Sequence, residues 1–571
     1  MEIKINSAVN FQRRLKPKEE ADYFATLKLA KEKIGNRGKS ILIIPTTALP
    51  QEVSNNTGLG NIAGKESAMF FDFAKKYWGI NEIQIQPIGQ YHNHNGTYPI
   101  YSGTSLDLGN HVINIKSHCT EEEFQELVKS NNNSNDLNYE NIVDKNSKQE
   151  KILKRIYKRE ASNKEFAEFK KNNAQYLEPK ALYRALRELN NSYDYKNWND
   201  VDKNLYLLPK KERENRIAEI YKQKSEEIDF YKFKQFLAEK DLKQAKENLN
   251  SKGLKLNGDL ICGFSFDEIW AHPKAFLEGK TIGWGLPALD LDSKDAENLL
   301  REKIQLYSKR FDGFRIDASW TYINQPNGKN YNDKILNIID DEVKKVKGAN
   351  FDLKNIMHEF TASEENFRLY DGEKLKDCVK NRVQIQTSDW LSENWGSNKA
   401  FLERGWNPEN FIIGATNHDS KKIKFDKEQA KVLSKILNIP ESKLNNEEEF
   451  IKAKLAEPMM AYNNMIYFKD ALATDKNKLS MDFEKEYIYN LEHNKGFNPM
   501  DALEKAFKAK GLDSEEPELF NKIVKYKKIL ENKEFSHKKI AAIAVGVGIL
   551  GTAVTKMVID KIIKQHPQNT N

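Results

Sequence analysis

A chain of 571 residues could hold several domains, or one large domain with insertions, since α/β barrels often run to ~250 residues or more as a single unit. Hydrophobic residues make up 39% of the chain and charged residues 31%, which indicates a globular protein and excludes a disordered or fibrous one. The net charge of +7 is spread along the chain instead of being gathered in an arm or a stripe, so the composition gives no support to nucleic-acid binding.

Cysteine usage and the first residues of the sequence bear on the compartment. Cys119, Cys262 and Cys378 are far apart and odd in number, so they form neither a disulfide framework nor a Cys-x-x-Cys metal site. The stretch 1–20 has no uninterrupted apolar core of the kind that a secretion signal requires. We therefore expect a cytoplasmic protein.

Short apolar runs that end in polar residues recur along the chain, and longer helical patterns separate them. Continuous apolar runs are typical of strands buried on both faces, as in a parallel sheet with crossover helices. Eight such units predict an α/β fold, a (β/α)₈ TIM barrel. The predicted strands lie within 40–50, 81–89, 253–264, 312–319, 354–363, 381–390, 410–420 and 463–474.

The sequence also predicts how the rest of the chain is organised around this barrel. An N-terminal extension (1–39) precedes the barrel (40–475), and a helical region (476–535) follows it. Between the second and third strands, residues 111–250 show apolar spacing near 3.6, which predicts a large, mostly helical insertion. We expect this insertion to build on the catalytic face.

The last segment (536–571) differs in composition from the rest. Its uncharged run from 540 to 555 falls short of the ~20 apolar residues that span a bilayer. Two interpretations stay open: a small-residue helix that packs on a partner or stays mobile, which we favour, and a marginal membrane anchor. Membrane association is therefore an alternative that we do not favour.

Charged side chains stand where several predicted strands end. Active sites of (β/α)₈ barrels lie at the carboxyl ends of the strands. The residues at these ends are Asp259, Arg315, Asp317, Glu359, His418 and Asp419. We expect the four acidic residues among them to converge on one mouth of the barrel.

The Arg-x-Asp sequence at 315–317 suggests a chemistry for this mouth. An aspartate two residues after an arginine stays ionised beside that positive charge, as a nucleophilic carboxylate requires. A glutamate on the next strand can stay protonated and donate a proton, and two carboxyl groups roughly 5 Å apart suit retaining glycoside chemistry. Since a single buried Arg–Asp pair is also a common structural device, the ordered set of strand ends carries the prediction.

At these residues the chain resembles a known group of enzymes. "GFRIDA", "IMHEF" and "ATNHDS" resemble three signature segments of the α-amylase clan, in the same order. "IIPTTALPQEVSNNTGLG", "IYSGTSLDLGN" and "WGLPALD" are similar to segments of its amylomaltase branch, glycoside hydrolase family 77, the 4-α-glucanotransferases. The resemblance covers roughly residues 40–420 and identifies the chain as a divergent member.

The resemblance implies roles for individual residues. Asp317 falls on the nucleophile of the family, Glu359 on its acid/base, and Asp419 on the carboxylate that stabilises the transition state. Arg315 would also orient Asp317, and Asp259 could equally be structural. The positions that the resemblance assigns to substrate binding are Tyr101, Asp259, Trp284, Arg315, Asn417 and His418. This chemistry needs no metal and no organic cofactor.

Two departures from the family pattern bear on the reaction. Ala318 stands where the family usually has a histidine, and a long loop that helps to cover the sugars is reduced to "LEGKTIG" at 277–283. The resemblance predicts a retaining 4-α-glucanotransferase that moves a segment of an α-1,4-glucan or maltooligosaccharide to the 4-hydroxyl of another glucan or of glucose. An α-glucan hydrolase with the same machinery and a non-catalytic α-glucan-binding protein are the alternatives.

Overall fold

The structure is a computed structural model of the chain. The residues that it describes are 15, 17–51, 55–90, 106–131, 137–143, 146–323, 325–359, 384–387, 408–416, 423–472 and 497–531.

Eight parallel strands close into a barrel, in the order β1-β10-β9-β8-β7-β6-β3-β2. Strands β4 and β5 form a separate antiparallel pair outside the barrel. In chain order the strands are β1 Ser40–Ile44, β2 Glu82–Ile85, β3 Lys255–Leu260, β4 Phe276–Thr281, β5 Pro287–Leu289, β6 Gly313–Ile316, β7 Ile356–Glu359, β8 Gln384–Thr387, β9 Phe411–Gly414 and β10 Asn463–Tyr467. Each of the eight predicted runs contains one barrel strand, so the predicted (β/α)₈ barrel is confirmed.

The apolar runs become barrel strands because both of their faces are covered. Every residue of β1, "SILII", is buried, and so is every residue of β9, "FIIG". One face of each strand looks into the barrel and the other packs against the helix layer, which leaves no solvated face that would call for alternating polar residues.

The barrel closes at a seam between β1 and β10. Ser40 pairs with Asn464 and Ile41 with Met465 in a parallel register. The Asn463 side chain reinforces this seam, since its Oδ1 accepts a hydrogen bond from the Lys39 backbone N–H at 2.8 Å. Its Nδ2 donates to the Phe411 carbonyl of β9 at 3.0 Å. One asparagine therefore ties three adjacent strands together.

The described chain between β2 and β3 is mostly helical, which confirms the predicted insertion. Its longest helix, α8, changes direction at Lys224, whose φ of −135° and ψ of 26° are not helical. The helices before and within this part are α1 Pro17–Ile34, α2 Lys65–Trp78, α3 Glu121–Ser130, α4 Lys148–Glu160, α5 Lys164–Asn172, α6 Ala174–Leu189, α7 Asp200–Lys203 and α8 Lys210–Ser251.

The remaining helices complete the outer layer and the C-terminal part. They are α9 Phe266–Ala271, α10 Lys294–Arg310, α11 Trp320–Ile323, α12 Asn332–Lys347, α13 Lys427–Leu437, α14 Glu441–Leu444, α15 Glu447–Ala456, α16 Phe468–Leu472, α17 Pro499–Ala509, α18 Leu512–Glu515 and α19 Pro517–Glu531. Helix α19 packs on α1, where the Tyr526 and Tyr23 rings meet edge to face at 5.4 Å and Lys522 pairs with Asp22 at 2.7 Å.

The division of the chain into domains stays a prediction, and so does the role of the tail, since 536–571 lies outside the described residues. None of the helices within the described ranges has the length and apolar character needed to cross a membrane.

Candidate active site

Three adjacent strands carry the candidate catalytic residues at their carboxyl ends. Strand β6 lies between β3 and β7, and Asp259 of β3 is directly opposite Arg315 of β6 in the parallel register. Because side chains alternate along a strand, these two residues and Glu359 at the end of β7 project into the same barrel mouth. The end of this part of the sheet is therefore charged.

The Arg315 guanidinium is the centre of this group. Its Nη1 lies 2.7 Å from Asp259 Oδ1 and 3.2 Å from Asp317 Oδ1, and its Nη2 lies 2.6 Å from Glu359 Oε1. The arginine is 1% exposed, whereas the Asp317 side chain is 22% exposed. The arginine is thus a buried anchor, and Asp317 is the carboxylate of this group that is most open to a ligand.

The turn after β6 fixes the two outer carboxylates from a second side. Ala318 adopts a left-handed φ of 44°, a conformation that costs energy for a residue other than glycine. In this conformation its backbone N–H donates to Glu359 Oε2 at 2.8 Å. The Asp317 N–H donates to the Leu260 carbonyl at 2.9 Å, and the Cys262 N–H lies 3.4 Å from Asp317 Oδ2.

The charges at the site are unbalanced, because one guanidinium faces three carboxyl groups. Burial raises the pKa of Asp259 to about 7; Arg315 opposes that rise, while the negative charges of Asp317 and Glu359 add to it. Burial alone would lower the pKa of Arg315, but the three carboxylates outweigh it and raise that pKa well above its usual value. Arg315 therefore stays charged, and Asp259 takes up a proton near neutral pH.

His358 supports the same turn from the outer face of the barrel wall. Its Nδ1 lies 3.1 Å from Ser319 Oγ, and that hydroxyl donates to the Ile316 carbonyl at 3.0 Å. Burial lowers the pKa of His358 to about 4, so the imidazole is neutral at physiological pH. It is a structural neighbour of Glu359 that brings no charge to the site.

The structure thus brings together Asp259, Arg315, Asp317 and Glu359 out of the residues that the sequence predicts. Trp284 lies on the connection between β4 and β5, 71% exposed and with a positive φ of 63°. Among the described residues, no hydrogen bond or ion pair joins Trp284 to the other four. The predicted residues that lie outside the described ranges are Tyr101, Asn417, His418 and Asp419.

Sequence reasoning missed several contributors to the site. The Cys262 N–H and the Ala318 N–H are backbone groups, which no side-chain pattern marks. Glu268 was missed as well: it accepts from the Leu106 N–H at 2.7 Å and from Lys180 Nζ at 2.7 Å, and so ties the segment after β2 to the start of α9. Its one signal in the sequence is the Ser265-x-x-Glu268 spacing of a capping box.

No cluster of three or more His, Cys, Asp or Glu residues in the described part of the chain is arranged to hold a metal ion. Asp317 is partly exposed, and Arg315 contacts both Asp317 and Glu359, an arrangement in which one carboxyl group can act on a ligand while its neighbour exchanges a proton.

A (β/α)₈ barrel with paired carboxyl groups at the carboxyl ends of adjacent strands is the architecture of a broad class of glycoside-processing enzymes. The chain belongs to glycoside hydrolase family 77, because the model of that family, described as 4-alpha-glucanotransferase, matches residues 44–397, which is more than half of the sequence.

Individual relatives agree with this assignment at low identity. A 4-alpha-glucanotransferase of Clostridium butyricum is 25% identical over 303 residues, which cover 46% of this chain and 58% of that protein. The chloroplastic/amyloplastic 4-alpha-glucanotransferase of Solanum tuberosum is 24% identical over 325 residues, which cover 51% of this chain and 53% of that protein. The match thus spans little more than half the length of these relatives.

Solved structures share the fold. The amylomaltase from Streptococcus agalactiae in complex with acarbose aligns with a TM-score of 0.60 and 17% identity, over 83% of this chain and 99% of the other. The amylomaltase from Corynebacterium glutamicum aligns with a TM-score of 0.50 and 13% identity, over 78% of this chain and 69% of the other.

Proposed function

We propose that the protein is a 4-α-glucanotransferase that acts on α-1,4-glucans by a retaining double displacement. Membership of family 77 supports the class of reaction, and the carboxyl groups around Arg315 supply the residue types that it needs. The substrate is an α-1,4-glucan or a maltooligosaccharide.

Asp317 and Glu359 divide the work of the first step. An Asp317 oxygen attacks the anomeric carbon of the donor, and the bond to the leaving glycosidic oxygen breaks as Glu359 protonates that oxygen. The donor segment is then held as a glycosyl ester on Asp317. In the second step Glu359, now a carboxylate, takes the proton from the 4-hydroxyl of an acceptor glucan, whose oxygen displaces Asp317 and restores the α-linkage.

The single observation that carries this proposal is the shared guanidinium. Arg315 Nη1 lies 3.2 Å from an Asp317 oxygen, and Nη2 lies 2.6 Å from a Glu359 oxygen. Two carboxyl groups bound to the two terminal nitrogens of one guanidinium are kept near each other, and a retaining mechanism needs its two carboxyl groups close together, roughly 5 Å apart. Because Arg315 is buried, it stabilises this separation from behind and leaves the exposed side of Asp317 for the sugar.

The other predicted residues complete the proposal. Asp419 is the third carboxylate, and the residues that would contact the glucan are Tyr101, Asp259, Trp284, Asn417 and His418. The cytoplasmic location and the preference for a tail that does not anchor the protein in a membrane are further parts of the proposal.

Hydrolysis is the second candidate, and one feature favours it. Most of β4 and the start of the turn that leads to β5 occupy the place of the shortened loop, and the last four residues of β4 are exposed. The space in front of Gly279, Gly283 and Gly285 is open. An uncovered hairpin of this kind gives water easier access to a glycosyl ester than a closed loop would.

Incubation with maltotriose separates these functions, because the products differ in chain length. A transferase yields maltopentaose with glucose, or maltotetraose with maltose, so products longer than the substrate accumulate. A hydrolase yields maltose and glucose alone, and that result would replace the first proposal by the second. Binding of maltotriose without any product would refute both, and Asp317→Asn protein from the same preparation controls for contaminating activity.

A further inference from the structure

Lys303 is a buried cation that lies behind the barrel wall, next to the loop that follows β3. It belongs to α10 and is completely buried. Its Nζ donates to the carbonyls of Ile261 and Gly263, each at 2.7 Å, and lies 4.5 Å from the centre of the Phe264 ring. The ammonium group therefore holds two carbonyls of one short loop.

The held loop carries the backbone group that faces Asp317. A trans peptide unit is planar, and its C=O and N–H point in opposite directions. In the unit that joins Ile261 to Cys262, the carbonyl accepts from Lys303 and from Tyr322 Oη at 3.2 Å, while the N–H lies 3.4 Å from Asp317 Oδ2. Fixing the carbonyl on the outer side therefore sets the direction of the N–H on the inner side.

We propose that Lys303 is a positioning residue for Asp317. In its charged form Lys303 holds the 261–263 loop, so that the Cys262 N–H stays directed at the Asp317 carboxylate. This inference deepens the proposed function, since it rests on Asp317 being the group that attacks the sugar. Lys303 itself touches no substrate.

The hold depends on pH, because burial lowers the pKa of Lys303 to about 8. Glu268 of α9 and Asp317 after β6 favour its charge, and Lys180 of α6 opposes it. The other titratable groups packed around it stay neutral in this range, because burial raises the pKa of Cys262 to about 12 and that of Tyr322 well above its usual value. Above pH 8 the neutral amine makes weaker hydrogen bonds than the ammonium, so the loop is held less firmly.

Loss of this hold is distinct from unfolding. Since folding lowers the pKa of Lys303, the burial of its charge costs stability below pH 8, and this cost is relieved between pH 8 and the unfolded value near 10.5. Deprotonation of Lys303 therefore does not weaken the fold. A decline of kcat above pH 8 with no matching decline in stability is the signature that we expect.

The test compares Lys303→Met with Lys31→Met. Lys31 is a matched control: burial also lowers its pKa to about 8, and its Nζ donates to the Gly79 carbonyl at 3.0 Å, at the amino end of the barrel away from Asp317. We expect Lys303→Met to lower kcat on maltotriose by about tenfold or more at pH 7, with KM changed by less than about twofold, and to lose the alkaline decline. Lys31→Met should keep the wild-type kcat, KM and pH profile.

Two further measurements test the inference if the Lys303→Met protein does not fold. Tyr322→Phe removes the other donor to the Ile261 carbonyl and should lower kcat in the same direction. Hydrogen exchange of wild-type amides 262–264, corrected for the intrinsic rate, should lose about tenfold in protection between pH 7 and 9, and needs no activity. If glucans are not turned over but this protection is lost, the proposed function fails while the role of Lys303 in holding the loop stands.

Two results would overturn the inference. One is a folded Lys303→Met protein whose kcat stays within about twofold of wild type at pH 7. The other is exchange protection of 262–264 that does not change between pH 7 and 9.

Discussion

Replacing Asp259 by asparagine should change how the stability of the protein depends on pH. Burial raises the pKa of this carboxyl to about 7 in the fold, from 3.8 in an exposed chain. The folded state therefore holds the proton more tightly than the unfolded state. The resulting stabilisation is fully present below about pH 4 and is lost as the pH rises through 7. An asparagine at this position has no proton to lose.

The size of the effect follows from the two pKa values. Linkage between 3.8 and about 7 gives wild type a loss of roughly 2–3 kcal/mol in the free energy of unfolding between pH 5 and pH 8. The Asp259→Asn protein should lack this loss. The weaker bond between the new asparagine of this variant and Arg315 lowers its free energy of unfolding by the same amount at every pH, because Arg315 stays charged throughout.

Urea unfolding at pH 5, 6, 7 and 8 measures this dependence directly. The difference in unfolding free energy between wild type and Asp259→Asn should shrink by roughly 2–3 kcal/mol across the range, with equal m-values. Asp200→Asn is the control, since the Asp200 side chain is 91% exposed and the same chemical change there should leave the dependence as in wild type. Parallel curves for wild type and Asp259→Asn would refute the assignment of the buried proton to Asp259.

The remaining predictions concern the reaction and the tail. Asp317→Asn should lower kcat on maltotriose by several powers of ten. Because the Asp317 side chain is partly exposed, the urea midpoint of unfolding should stay close to wild type. Near-wild-type turnover would show that another group is the nucleophile. Glu359→Gln should lose activity on glucans but keep part of the first step on a glycosyl fluoride, whose leaving group needs little protonation; equal losses on the two donors would point to misfolding or to another acid. Deleting the residues after 535 should leave the barrel and its activity intact, and in cell fractionation the full-length and the truncated protein should both be recovered in the supernatant. Recovery of the full-length protein in a salt-washed membrane pellet, with the truncated protein in the supernatant, would show that the tail is a membrane anchor.

The barrel could be predicted from the sequence because its strands are marked by composition. The runs 41–44 and 411–414 are apolar and buried throughout, and a threonine follows each within two residues. Periodicity also predicts the long helix α8, but not the change of direction at Lys224, whose backbone angles are not helical. The β4–β5 hairpin went unpredicted, since "FLEGKT" has mostly exposed residues and no alternating pattern.

At the site, the sequence predicts the carboxylates but not the way they are held. Asp317 directly follows β6 and Glu359 is the last residue of β7, so their places at the mouth can be inferred from the strand ends alone. The roles of Lys303 and Ala318 depend instead on carbonyl and N–H directions, which are set by turns and by contacts between distant parts of the chain. Arg315 could be predicted as a partner of Asp317; its simultaneous contact with Asp259 and Glu359 required the order of the strands.

The seam between β1 and β10 has a consequence for synthesis of the chain. Ile41 pairs with Met465, so β1 leaves the ribosome roughly 420 residues before the strand that covers one of its edges, a delay of about 20–80 s at ordinary translation rates. Throughout that interval β1 presents an open row of backbone donors and acceptors, flanked by apolar side chains, to any other nascent or misfolded chain. Sequence changes that delay the synthesis of β10, or that remove the hydrogen bonds of the Asn463 side chain, should therefore lower the yield of folded protein in cells more than they lower the stability of the finished barrel.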